Sequence, residues 1–137
     1  MENPRNDDNL GMMACFHGRY LLGDDLHKHN IWQSEYKSWS EMEDHIRLEL
    51  KALVILPLYL YDHGGLRMKV GSFQGLLPQG HAEFDSGQVG FIYATKADIK
   101  KNYPGKQIRA RLLAEVEATL RREVAEYDHY LTSGEED

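Results

Sequence analysis

Ile108-Arg109-Ala110-Arg111-Leu112-Leu113-Ala114-Glu115-Val116-Glu117-Ala118-Thr119-Leu120-Arg121-Arg122-Glu123-Val124-Ala125-Glu126-Tyr127 is the stretch on which the fold turns. Ile108, Leu112, Val116, Leu120, Val124, Tyr127 and Leu131 recur every three or four residues, with Leu113 beside them and Arg and Glu filling most of the rest. That spacing lays the apolar side chains in one stripe along an α-helix. Ser133-Gly134 marks its end. About 24 residues rising 1.5 Å each reach about 36 Å, enough to cover a small sheet.

The sheet is read from the segments before it. Leu53–Tyr61 is rich in β-forming residues, and Leu66, Met68 and Val70 alternate with Arg67 and Lys69 beyond the turn Asp62-His63-Gly64-Gly65. This is the pattern of a hairpin. Pro57 has no amide proton, which assigns it to an edge, a bulge or the first residues of its strand. Gln88–Ala94 reads as a further strand, and Met12–Phe16 as an apolar run that is strand or helical turn. Gly71 to Asp85 reads as an irregular excursion. Ser38 and Ser40 each stand three before a glutamate, a capping-box spacing, and Met42, Ile46, Leu50 and Leu53 follow at helical intervals. Thr95 caps a short helix through Lys101, closed by Tyr103-Pro104-Gly105.

The expected architecture is α+β: an antiparallel sheet of three or four strands packed on one face by a long C-terminal helix and one or two shorter helices. A single domain over 10–132 is expected, with a flexible segment at 1–9 and an acidic tail at 133–137. The chain has 137 residues and a mass of 15.8 kDa, one domain's worth. One cysteine, Cys15, excludes a disulfide scaffold. No apolar run approaches the roughly 20 residues of a membrane span, and the start has no signal-peptide layout. The expectation is a soluble protein of the cytoplasm.

Sixteen basic against 22 acidic side chains leave a net charge of −6, and residues 1–50 hold ten of the acids against five Lys and Arg. Such a balance repels nucleic acid, so no direct contact with it is expected. His27 and His29 beside Asp24 and Asp25 lack the spacing of a metal site, so no metal is assigned. No Walker loop, dinucleotide fingerprint or serine elbow is present, and no cofactor is expected. The polar groups at strand ends, Asp62, His63 and Asp85, are the candidates for acid–base catalysis; their setting is also ordinary turn chemistry.

Four stretches together resemble a family of small proteins of unassigned function carried by bacteriophages, prophages and plasmids. They are Cys15 through Asp24, Leu56-Pro57-Leu58-Tyr59-Leu60-Tyr61-Asp62-His63, Asp85-Ser86-Gly87-Gln88-Val89-Gly90-Phe91-Ile92-Tyr93, and Tyr127-Asp128-His129-Tyr130-Leu131-Thr132. The resemblance runs from about residue 9 to 132 and implies a mobile-element setting. In that setting the expected role is an anti-defence protein that inhibits a host nuclease complex, a CRISPR effector or a restriction enzyme, from the host cytoplasm. Asp24, Asp25, Trp32, Glu41, Glu43 and Asp44 are the expected partner-binding residues, the acids standing in for phosphates. The alternatives are a small hydrolase using Asp62, His63 and Asp85, or a nucleic-acid accessory module.

Overall fold

A computed structural model of the chain describes residues 2–26, 31–62, 65–71 and 87–134. Four strands, β1 (Met12–Cys15), β2 (Ala52–Asp62), β3 (Leu66–Val70) and β4 (Gln88–Thr95), form one sheet in the order β1-β4-β2-β3, every neighbouring pair antiparallel. Among the described residues three α-helices accompany it: α1 (Trp39–Leu48), α2 (Lys96–Asn102) and α3 (Ala110–Gly134). The class is α+β, with α3 the long C-terminal helix that its stripe predicts.

The expectation of helices on one face is corrected, because α1 packs on the face opposite α3 and the strands β1 and β4 are buried on both sides. Met13, Cys15, Leu58, Met68 and Ile92 pack with Leu112, Val116, Leu120, Val124 and Tyr127 of α3. Met12, Ala14, Phe91 and Tyr93 pack the opposite way with Trp39, Met42 and Ile46 of α1. Alternate residues of β1, and of β4 from Phe91 to Ala94, therefore serve different cores, as the two-residue period of a strand requires. Both faces being covered explains why β1 reads as an unbroken apolar run. Gly90 lets β4 lie close against β1: a Cβ there would stand 1.9 Å from the Ala14 carbonyl oxygen.

Local signals decide the helix starts. The Ser38 hydroxyl accepts the Glu41 N–H at 3.2 Å, and Thr95 does the same for the Asp98 N–H at 3.1 Å. The helical spacing of Leu50 and Leu53 is not used. α1 stops at Leu48, Lys51 turns the chain at φ 58°, and Ala52 begins β2. Pro57 is neither on an edge strand nor among the first residues of β2. Its carbonyl accepts the Gly71 N–H at 3.0 Å, so its missing N–H would point toward β3 just past Val70, where that strand has ended. Beyond Gly71, the expected excursion lies outside the described residues. No described helix is long and apolar enough to cross a membrane.

Candidate functional site

Arg5 organises the end of the molecule where the acids gather. Residues 1–9 read as a loose polar end; within them Pro4–Asn6 form a 3-10 turn that buries Arg5, with 2% of its side chain exposed. Its Nε and Nη2 donate to the two Asp24 carboxylate oxygens at 2.9 and 2.8 Å. Nη2 also donates to the Gly11 carbonyl at 2.7 Å, and Nη1 to Glu123 Oε1 at 3.1 Å. Burial opposes the Arg5 cation, but the hydrogen bonds and charges of Asp24 and Glu123 outweigh it, so its pKa rises.

The two carboxylates are anchored in turn by backbone. Glu123 accepts the Leu10 N–H at 2.9 Å and the Gly11 N–H at 3.1 Å, while Asp24 accepts the Met13 N–H at 2.8 Å. Three amide dipoles thereby offset the excess of two carboxylates over one guanidinium. A tight turn delivers Asp24 to this place. Gly23 has φ 75°, a Cβ there would meet the Met13 carbonyl oxygen at 2.7 Å, and its N–H donates to the Tyr127 hydroxyl at 3.0 Å. The loop pairs with β1 through an Ala14–Gly23 bridge and so covers an edge of the sheet.

Two grooves flank this network. One, of about 410 Å³, is lined by Asp7, Asp8, Asp24, Asp25 and Asp98 together with Arg5 and Gly11. The second, of about 530 Å³, shares Asp7 and Asp8 and adds Tyr103, Thr119, Arg122, Glu123 and Glu126. Asp7 and Asp8 thus form a ridge between two concavities. A third groove, about 550 Å³, runs past Cys15, Phe16, Tyr20, Asp24 and Asp25. Burial and the Asp24 charge raise the Cys15 thiol well above its ordinary value, which disfavours the thiolate form. No group of three or more metal-ligating side chains that could hold an ion occurs among the described residues.

The other expected site residues lie elsewhere. Glu41, Glu43 and Asp44 stand on α1 and line none of these grooves; Glu43 pairs with Arg47 at 2.6 Å. Trp32 precedes the 3-10 turn Gln33–Glu35 with 43% exposure. The structure therefore brings Asp24 and Asp25 together with Asp7, Asp8 and Asp98, and leaves the α1 acids separate. Asp62 ends β2 opposite Leu66, while His63 and Asp85 lie outside the described residues. Arg5, Asp98 and Glu123 escape the sequence reading. Glu123 had a signal: it sits three after Leu120 and four before Tyr127, on the apolar stripe, where a charge needs a buried partner. Comparison with protein-family models, curated proteins and solved structures finds no match.

Proposed function

We propose that this chain is an anti-defence protein of a mobile genetic element, which binds a host nuclease complex and blocks its basic nucleic-acid channel with the acidic ridge. One observation carries the reading: carboxylates from three separate segments, Asp7 and Asp8, Asp25, and Asp98, converge on one groove. Partner Arg and Lys side chains entering it would make short, charge-assisted hydrogen bonds. The resemblance over residues 9–132 supports the setting, and the net charge of −6 supports attraction to a basic surface. The nuclease is a CRISPR effector or a restriction enzyme, met in the host cytoplasm.

The test is inhibition of DNA cleavage by purified restriction and CRISPR effector complexes. The expected result is inhibition that weakens steeply between about 50 and 300 mM salt, because charge attraction is screened over about 8 Å at physiological ionic strength. Asp7→Asn with Asp8→Asn and Asp98→Asn should slow association, whereas Glu115→Gln with Glu117→Gln should matter less. Inhibition indifferent to salt and lost in Trp32→Ala would overturn the acidic mode and leave contact through exposed aromatic residues.

A further inference from the structure

The ridge between the two grooves is held by groups that present no charge to solvent. The Arg5 and Glu123 side chains are 2% and 5% exposed. Arg5 grips Asp24, Gly11 and Glu123 from within, and Glu123 takes the N–H groups of Leu10 and Gly11 from α3. The segment also closes on itself. The Arg5 N–H donates to Asn3 Oδ1 at 2.9 Å, and Asn9 Nδ2 donates to the carbonyls of Pro4 and Asp7 at 3.0 Å each. Asp7 and Asp8 are left on the outside, exposed, between the grooves.

A buried ion pair is a poor device for stability, since desolvation largely cancels its attraction. Its distinctive effect is geometric: it allows one placement of the groups it joins. We infer that Arg5 and Glu123 are positioning residues for partner binding, clipping residues 3–11 across α3 so that the Asp7 and Asp8 carboxylates are in place before a basic partner arrives. The inference rests on the acidic ridge being the binding face. A ridge ordered in advance spares the complex the loss of freedom that a loose acidic segment would suffer on binding.

The experiment is fluorescence anisotropy of a labelled nonaarginine peptide, as the basic probe, with the full chain at low salt. Arg5→Met with Glu123→Gln removes the clip and leaves the net charge at −6. The expected result is an affinity about fivefold weaker or more, with Leu10 and Gly11 amides exchanging faster while α3 amides stay protected. Asp7→Asn with Asp8→Asn should weaken the parent chain by a similar factor, and cost less than about twofold more in the clip-less background. Parent-like affinity without the clip, or equal losses from Asp7→Asn and Asp8→Asn in both backgrounds, would overturn the inference alone. A parent chain that ignores the peptide, or is indifferent to Asp7→Asn and Asp8→Asn, would overturn the acidic-ridge reading with it. If the double variant fails to melt cooperatively, Arg5→Lys is read by the same outcomes. It keeps the charge, but an ammonium lacks the planar fork that serves Asp24, Gly11 and Glu123 together.

Discussion

Arg5 and Arg67 make nearly the same bond in opposite surroundings. Arg5 reaches Asp24 at 2.8 Å and Arg67 reaches Asp128 at 2.9 Å, each through Nε and Nη2, but their side chains are 2% and 51% exposed. Each ties a remote segment to α3, Arg5 through Glu123 and Arg67 through Asp128. The bond length says little about what either pair contributes. Inside the protein, a broken pair strands a charge away from water. At the surface, water replaces the partner.

Breaking the buried side of this comparison should have the largest effect. Arg5→Ala leaves Glu123 without its cation and should cost about 3–5 kcal/mol in urea unfolding. Arg5→Met with Glu123→Gln should cost less, because the more deeply buried of the two carboxylates loses its charge with the cation and only the partly exposed Asp24 is left unpaired. If the single change proved no worse than the double one, the network would be open to water and the contrast with Arg67 would collapse.

Asp128 sharpens the exposed side, since it does more than pair. Its carboxylate accepts the Met68 N–H at 2.8 Å, closing a donor on the edge strand β3. Asp128→Ala should therefore cost about 1.5–3 kcal/mol, the range of a hydrogen bond to a charged group, where a bare surface pair would cost less. Burial raises its pKa, but the Arg67 and Met68 hydrogen bonds and the charges of Arg67 and Lys69 outweigh this and hold it below the ordinary value. A carboxyl with a depressed folded pKa contributes stability above its unfolded pKa of about 3.9 and loses it as pH falls through the folded value. The stability difference between the parent chain and Asp128→Ala should shrink accordingly below about pH 4. A difference constant down to pH 2 would mean that packing, not ionisation, makes the contribution.

Arg67→Gln should have the smallest effect, since the Met68 N–H still holds Asp128. Its shift in melting temperature should be slight and should vanish in about 1 M salt, where screening reaches within about 3 Å. A large loss that persists in salt would show that Arg67 acts through its apolar stem.

The helices were legible because their signals are local. The α3 stripe repeats over neighbouring turns, and the Ser38 and Thr95 caps lie within three residues of the amides they accept. The β2–β3 hairpin was legible for the same reason. Acidity in the first fifty residues was visible as a count. Where those acids point was not: Asp24 turns inward to Arg5, Asp25 lines a groove with Asp98, and Glu43 pairs along its own helix.

What the sequence by itself determined is the identity of the three helices and of β2, β3 and β4, because turn chemistry, capping and side-chain period act over a few residues; β1 stayed open between strand and helical turn. Only the tertiary structure decided that β1 pairs with β4, that both sides of these two strands are covered, and that Arg5 meets Glu123. Those contacts join residues up to 118 positions apart. Nothing near Arg5 in the chain announces its partner. A polar start such as Asn3-Pro4-Arg5-Asn6-Asp7-Asp8 becomes a fixed ridge only once packing removes water from its one buried cation, which must then find carboxylates.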